Sequence, residues 1–454
     1  MFKLFLYAIL LSPIPFGANR AWAWNLYALL LAATGLTGCV AVLLGKTDIR
    51  VSLEPVKYPF YLVCIPVVWS LVQQSGFLPN GWTHPFWQLT GEQLPIPVEA
   101  YISLSPQETA TALMKLVSYL VVFFISLQFN RDSGRAAVTF KSIAYAGLVY
   151  AVYGLIVYLG GFDTVLWFEK SVYRESVTST FINRNSYATY AGLTLLAAFP
   201  LLFEKIQSSF QYGIKSYYGR QYFFENILVR AWFPLLLVIT ITTALFLSLS
   251  RGGCLSTALA VFALFTILLV SRRIKNNAAA IFLFVAIGLV SAGVLKQSGD
   301  QLIERINDIS SEHQDRWLVY DILSKANVEN RWLGVGYGSF EKSFRLYRDE
   351  TISAYYDKAH NTYLENIFEL GLFQASALFL AIFLAALLCL RGVWVRRKDW
   401  IYPAVGFSAS VLVGVHALVD FSLQIPAVAF TYALIMGAAV GQASSTRRGR
   451  KTSG

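Results

Sequence analysis

The chain has 454 residues, of which 56% are hydrophobic, 15% aromatic and 14% charged, and its mean hydropathy is +0.53. Soluble domains carry about 25% charged residues, so this composition excludes an ordinary soluble fold. The net charge of +11 does not indicate nucleic acid either, because the basic residues lie in short clusters between apolar runs, as in membrane-protein loops that face anionic lipid.

Apolar runs of about 20 residues, long enough to cross a bilayer, recur along the whole chain. They predict an all-α polytopic membrane protein with about twelve transmembrane helices; a membrane β-barrel would show shorter, alternating segments. The predicted spans are 3–17, 24–45, 58–77, 108–129, 137–160, 185–203, 231–250, 253–271, 278–296, 361–390, 400–419 and 424–442.

The first span loosely imitates a cleavable signal peptide, because Lys3 precedes it and Ala21-Trp22-Ala23 follows it. Pro13 and Pro15 fit a short first helix and its turn better, so we expect no cleavage. All four cysteines lie in or beside apolar segments, without a Cys-x-x-Cys pair, and are expected to pack as small apolar residues. They are Cys39, Cys64, Cys254 and Cys389.

The loops between spans alternate between basic and non-basic, and this alternation predicts the orientation. By the positive-inside rule the basic clusters are cytoplasmic, as are both termini. The clusters are Lys46, Arg50 and Lys57; Arg131, Arg135 and Lys141; Lys205, Lys215, Arg220 and Arg230; Arg272, Arg273 and Lys275; Arg391, Arg396, Arg397 and Lys398; and Arg447, Arg448, Arg450 and Lys451. The loops 78–107, 161–184 and 296–360 then face outward, to the bacterial periplasm, where any donor must be pre-activated and carried by the membrane.

This topology predicts four parts. Residues 1–295 carry nine spans, 296–360 form a large periplasmic lid, 361–442 carry three further spans, and 443–454 form a disordered cytoplasmic tail. Within the lid, 311–326 reads as a short amphipathic helix. Its predicted apolar side consists of Trp317, Leu318, Tyr320, Ile322 and Leu323. The glycine-rich stretch 332–340 imitates a phosphate-binding loop but lacks its strand–turn–helix context, so a turn packed on the bilayer surface is expected.

Three arginines are candidate anion-binding residues near the outer face. Arg251 precedes Gly252-Gly253, where a ligand can approach the backbone closely; the alternative is an arginine that extends to the membrane interface. Arg316, on the amphipathic helix, reads by itself as a solvated charge. Arg184 either orients a phosphate or belongs to a helix cap with its flanking asparagines.

His360 begins the polar end of the tenth predicted span. A neutral imidazole accepts a proton near neutral pH, although a polar residue at a helix start has the same appearance. Asn361 is the predicted helix cap. Glu365 and Glu369 lie one turn apart on one face and are expected to point into the bundle, where they shape an acceptor site or pair with arginines.

His416 and Asp420 are also spaced as i and i+4. A proton relay there would favour a transporter, whereas a structural His–Asp hydrogen bond is the simpler expectation. The sequence contains no HExxH, Cys-x-x-Cys, Asp-x-Asp or P-loop motif. We therefore predict no metal, cofactor or nucleotide.

Several short motifs resemble those of the O-antigen ligase and polysaccharide polymerase superfamily of membrane proteins. They cover about residues 180 to 427, and their order is more specific than any one of them. They are Thr180-Phe181-Ile182-Asn183-Arg184-Asn185, Ser250-Arg251-Gly252, Arg316-Trp317, Leu333-Gly334-Val335-Gly336, Ala359-His360-Asn361-Thr362-Tyr363-Leu364 with Glu369-x-Gly371, and 418–427.

The resemblance implies a twelve-helix fold and metal-independent transfer of a glycan from undecaprenyl diphosphate at the periplasmic face of the bacterial inner membrane. Carried over by motif, Arg251 and Arg316 bind the diphosphate and His360 is the base, with Asp357, Glu365 and His313 as competitors for that role. Because no carboxylate nucleophile is assigned, inversion at the anomeric carbon is expected. The acceptor stays open between lipid A–core, a growing polysaccharide and a protein, and other polysaccharide assembly proteins are candidate partners. The alternative function is a transporter or flippase for a lipid-linked glycan.

Overall fold

The computed structural model describes residues 1–46, 53–79, 81–209, 227–273, 309–350, 352 and 355–444, with the single positions 218, 221 and 225. In this part of the chain the fold is helical apart from one antiparallel hairpin, β1 (Thr164–Val165) with β2 (Phe168–Glu169). The helices are α1 (Phe2–Leu11), α2 (Ala21–Leu43), α3 (Lys57–Gln73), α4 (Pro85–Gln93), α5 (Pro106–Phe129), α6 (Ser133–Leu159), α7 (Arg184–Ser209), α8 (Trp232–Leu247), α9 (Arg251–Val270), α10 (Ile309–Glu329), α11 (Phe340–Ser343), α12 (Thr362–Leu370), α13 (Leu372–Val395), α14 (Ile401–His416) and α15 (Pro426–Ala443). Short 3₁₀ turns cover Phe16–Ala18, Glu54–Val56, Phe344–Leu346 and Ser422–Gln424, and a π turn covers Ile227–Ala231.

Nine of the described helical segments are long and apolar enough to cross a membrane, which confirms the multi-pass helical class. They are Ala21–Leu43, Glu54–Gln73, Pro106–Phe129, Ser133–Leu159, Arg184–Ile206, Val229–Leu247, Arg251–Val270, Leu372–Val395 and Pro426–Ala443. Helices α1 and α14 are apolar but shorter, and the predicted span 278–296 lies outside the described residues. The predicted first span 3–17 is wrong beyond Leu11, because Pro13 and Pro15 belong to the turn that follows α1.

The core of the bundle forms around α7 and α15, each with 94% of its apolar window buried. Helix α15 packs against α5, α14 and α13, while α7 packs against α6, α8 and α14. Helix α2 has only 11% of its window buried, so it lies at the edge of the described bundle and contacts it mainly along α5.

The predicted helix 361–390 is divided at Gly371, which ends α12 and precedes α13. Gly371 has φ 86° and ψ 158°, a conformation that side chains disfavour. A Cβ at this position would also lie 2.5 Å from the backbone oxygen of Trp332. The candidate membrane span therefore begins at Leu372, and α12 is not part of it.

The described part of the lid packs on α12 through its own apolar cluster. Helix α10 confirms the predicted lid helix, but its buried side is formed by Val319, Leu323 and Ala326, and Trp317 is 69% exposed. The buried three share one face at helical spacing and contact Phe340, Phe344 and Phe368. The expectation that Trp317 lies on the apolar side is therefore wrong.

The glycine-rich turn joins the lid to α12 and α3. The backbone N–H groups of Val335 and Gly336 donate to the carbonyls of Phe368 and Glu369, each at 3.0 Å. The Gln73 side chain on α3 donates to the carbonyls of Leu333 and Glu369, each at 2.8 Å. The predicted turn is confirmed and its polar groups are directed to neighbouring protein elements, while its position on the bilayer surface stays a prediction.

Candidate functional site

His360 lies where the lid enters α12, and contacts from several elements fix it there. Its backbone is in the left-handed region, with φ 54°. The Tyr320 hydroxyl on α10 donates to its carbonyl at 2.9 Å, and its ring packs edge-on against Phe421, with centroids 4.9 Å apart. The Asn361 side chain accepts from the backbone N–H groups of Tyr363 and Leu364, each at 3.1 Å, so the predicted helix cap is confirmed.

Asp420 is the carboxylate that faces the imidazole. Its Oδ1 lies 3.7 Å from Nδ1 of His360, which is an ion-pair separation rather than a hydrogen bond. The Asp420 side chain is fully buried and accepts from Asn185 at 3.2 Å and from the hydroxyl of Ser422. Burial raises the pKa of Asp420. The opposite effect of His360, His416 and Ser422 is larger, so the pKa of Asp420 lies below its usual value. An ionised carboxylate thus faces the ring.

The expected His416–Asp420 hydrogen bond is replaced by two separate contacts. His416 Nδ1 lies 2.6 Å from the hydroxyl of Thr189 on α7, while Asp420 faces His360. The spacing i, i+4 brings side chains together only within a continuous helix, and α14 ends at His416. The sequence analysis named Asp420 as a candidate but paired it with His416, and it missed the contact with His360.

A chain of hydrogen bonds connects Asp420 to the start of α9. Asn185 donates to Asp420, and its amide oxygen accepts from the Ser250 hydroxyl at 2.8 Å. Ser250 is the N-cap of α9 and accepts from the N–H of Gly253 at 3.2 Å. A Cβ on Gly252 would lie 3.0 Å from His416 Nε2, so α9 begins in close contact with the end of α14. His360, Asp420 and the first turn of α9 consequently belong to one packed region.

The three predicted arginines lie on different helices, each within four residues of a side chain that contacts this region. Arg251 is the first residue of α9, with an exposed side chain. Arg316 lies one helical turn before Tyr320. Burial raises the pKa of the Tyr320 hydroxyl most strongly, and the charges of Arg316 and Asp420 also act on it, so both charges lie near this hydroxyl. Arg184 begins α7, and its guanidinium lies 5.0 Å from the Tyr173 ring centroid.

Glu365 and Glu369 are buried and contact lysine and backbone groups. Glu365 accepts from the N–H of Ala359 and from the Gln424 side chain, each at 2.9 Å, and lies 3.7 Å from the Lys358 amine. Glu369 accepts from the N–H of Phe340 at 2.9 Å. Burial, and then the charge of Glu365, raise the pKa of Glu369 to about 8. The cationic partner is thus Lys358 rather than an arginine, and Glu365 fixes the peptide that precedes His360.

A cavity of about 1690 Å³ lies on another side of α12, bounded by α2, α3, α5, α13, α14 and α15. Thr362, Asn366 and Glu369 face it from α12, at helical spacing. Arg251, Arg316, Arg184 and His360 are not among its lining residues. The structure thus divides the predicted residues between the histidine region and this cavity. No three His, Cys, Asp or Glu side chains come together in the described part of the chain, and the absence of a metal stays a prediction.

Residues 236–379 match a family model described as O-Antigen ligase. The matched range, roughly a third of the chain, contains Arg251, Arg316, His360, Glu365 and Glu369. A search of curated proteins gave no match. The family match confirms the resemblance for this part of the chain and supports a membrane glycosyltransferase of the ligase or polymerase type.

Proposed function

We propose that the protein transfers a glycan from undecaprenyl diphosphate to an acceptor hydroxyl, at the periplasmic face of the bacterial inner membrane and without a metal. The observation that carries the proposal is the connection from His360 through Asp420, Asn185 and Ser250 to the first turn of α9. Its successive separations are 3.7, 3.2 and 2.8 Å. It joins a proton acceptor to a helix that begins with Arg251, and the family match spans both residues.

The reaction we propose is a direct displacement at the anomeric carbon. Neutral His360 takes the proton of the acceptor hydroxyl, and the oxygen bonds to the anomeric carbon as the bond to the diphosphate oxygen breaks. A positioned base is worth about 10²–10⁴-fold in rate. Asp420 holds the imidazole and stabilises the imidazolium that forms. Inversion follows because the displacement occurs in one step.

The diphosphate leaves with its bonding electrons, so it needs cations more than it needs an acid. Arg251, Arg316 and Arg184 supply guanidinium groups, which bind phosphate oxygens bidentately. The N-terminus of α9 adds a favourable dipole for an anion. In a site partly shielded from water, each well-placed donor contributes about 3 kcal/mol to transition-state stabilisation.

Two competitors for the base are less suited by their contacts. Glu365 already accepts two hydrogen bonds and lies beside Lys358, so its carboxylate is engaged in holding the lid. Asp357 lines the cavity, which His360 does not line. The side chain of His313 lies outside the described residues.

A transporter of lipid-linked glycans is the second candidate, and the helix break at Gly371 is the observation in its favour, since transporters place substrate sites at broken helices. The break lies two residues after Glu369, whereas Arg251, Arg316 and Arg184 lie on other helices. A transporter would move the donor across liposome membranes without forming a glycosidic bond.

Transfer by purified protein from undecaprenyl-diphosphate glycan, with EDTA present, tests the proposal. We expect transfer by the wild type and its loss in His360→Ala and Arg251→Ala. Arg251→Lys should recover little activity, because lysine lacks the bidentate geometry. Lys325→Gln, which alters an exposed ion pair with Asp321, is the control. Full activity in His360→Ala would show that His360 is not the base. Movement of the donor across the membrane without transfer would favour the transporter.

A further inference from the structure

The cavity beside α12 combines a polar end with an apolar body. Its volume of about 1690 Å³ exceeds the roughly 300–1,000 Å³ of ordinary small-ligand pockets. Glu108, Glu341, Lys342, Asp357, Lys358 and Glu369 are charged residues of its lining, whereas apolar side chains form most of the remainder. This distribution matches an amphiphile with a compact polar head and long apolar chains.

Lys115 indicates the charge of that head. It lies in the third turn of α5, within a candidate membrane span, and lines the cavity. Its amine is 5.3 Å from the Trp24 ring centroid, and the described residues place no carboxylate within ion-pair distance of it. Glu108, two turns earlier, is bonded to Lys342 at 2.9 Å. A lysine within a membrane span is costly unless it meets an anion or water, so an anionic group is the expected partner.

A second polar group lies one turn further along α5. The Tyr119 hydroxyl is buried and finds no hydrogen-bond partner among the described residues, and Tyr119 also lines the cavity. Buried hydroxyls are normally satisfied. Lys115 and Tyr119 together form a short polar strip that can donate to phosphate or ester oxygens.

The apolar body is accessible beside α2, the least buried candidate span. Gly35 and Gly38 line the cavity from this helix, and a Cβ at Gly38 would meet nothing within 4 Å. A lipid can therefore enter laterally from the bilayer, and a volume of about 1690 Å³ accommodates more than one chain.

We propose that this cavity binds an amphiphile with an anionic phosphate head at Lys115 and more than one acyl chain in the apolar body. His360 and the three arginines do not line the cavity, so the proposed contact at Lys115 differs from the proposed diphosphate contacts, although Phe421, which packs against His360, also lines the cavity. The inference does not depend on the catalytic assignment.

Native mass spectrometry of the purified full-length protein tests the head-group contact. The probes are phosphatidylglycerol and phosphatidylcholine with identical acyl chains, in equal amounts. We expect preferential retention of phosphatidylglycerol, a roughly fivefold loss of it in Lys115→Gln, and recovery in Lys115→Arg. Lys325→Gln is the matched control, because that exposed lysine pairs with Asp321 and does not line the cavity.

A second variant tests the cavity itself and keeps the proposal falsifiable if Lys115→Gln does not fold. Gly38→Phe extends into the open space and should abolish phosphatidylglycerol retention. Val40→Phe, on the same helix, is its control, because Val40 is exposed and does not line the cavity. Retention by Gly38→Phe would place the lipid elsewhere and overturn the proposal.

Two further outcomes would overturn it. Equal retention of both lipids would show that the cavity does not select an anionic head group. An unchanged preference in a folded Lys115→Gln protein would show that Lys115 does not bind it. Displacement of phosphatidylglycerol by a single-chain polyprenyl phosphate, in Arg251→Ala as in the wild type, would assign the cavity to the donor lipid instead.

Discussion

Asp420 and His360 form a pair in which the carboxylate can act only through the ring. Asp420 is fully buried and is held by Asn185 and Ser422, so it is a positioning residue in the proposed mechanism. Replacing it by asparagine keeps the shape of the side chain and removes the charge that stabilises an imidazolium. The pair is therefore suited to testing whether charge or shape matters.

We expect Asp420→Asn to lower the rate of transfer about 100-fold, with little change in the KM for the donor. The loss should appear in kcat because the charge acts when His360 takes the proton. Steady-state kinetics of transfer measures both constants. Asp163→Asn, in an exposed pair with Arg174, is the control, and an unchanged kcat in Asp420→Asn would contradict the assignment.

Glu369 makes stability depend on pH. Its native pKa of about 8 lies above the roughly 4.3 of an exposed glutamate. Between these values the native state retains a proton that the unfolded state has lost, so the free energy of unfolding should fall as pH rises from about 4.5 to 8. The fall should amount to a few kcal/mol.

Glu369→Gln should flatten this dependence, because the amide resembles the protonated acid. The midpoint of thermal unfolding, followed across that pH range in detergent, measures the effect. Glu92→Gln, on exposed α4, is the control and should retain the wild-type slope. Parallel slopes in the Glu369→Gln protein and the wild type would show that another group titrates.

The division between α12 and α13 is the main feature at the scale of secondary structure. It separates a short amphipathic helix beneath the lid from a predominantly apolar candidate span. The break depends on Gly371, whose conformation and contact with the Trp332 backbone exclude a side chain. One residue therefore sets where the candidate membrane span begins.

Gly371→Ala should lower the free energy of unfolding by about 1–3 kcal/mol, through backbone strain and the clash with Trp332. Gly38→Ala is the matched control, because its Cβ meets open space in a regular helix; it should be neutral or stabilising by up to about 1 kcal/mol. Thermal or denaturant unfolding compares the two. Similar stability of both variants would show that the break tolerates side chains.

The orientation of the whole molecule in the membrane is a prediction from the positive-inside rule. We expect a cysteine at Arg345, in the lid, to react with a membrane-impermeant maleimide in intact cells. A cysteine at Arg397, between α13 and α14, should react only after the membrane is permeabilised. Both are placed in a protein whose four native cysteines are replaced by serine, and the reverse labelling pattern would invert the topology.

The multi-pass helical class could be predicted from the sequence, because a helix that crosses a bilayer needs a long apolar run and few charges. The break at Gly371 could not, since the residues on both sides continue a helical pattern and only a tertiary contact with Trp332 requires the turn. The helix cap at Asn361 could be predicted, because a cap depends only on residues that are neighbours in the chain. The His360–Asp420 pair could not, because 59 residues of intervening chain had to fold before Asp420 faced this histidine rather than His416.

The left-handed backbone of His360 has a consequence for how its loss is interpreted. Histidine and asparagine enter this region more readily than alanine. Removing the ring by an alanine substitution therefore also makes the bend before α12 less favourable, so two effects are mixed in one measurement. Asparagine removes the imidazole and tolerates the bend. Equal inactivity of the two variants would assign the loss to proton transfer, whereas a milder loss with asparagine would reveal how much of the rate depends on the path of the chain.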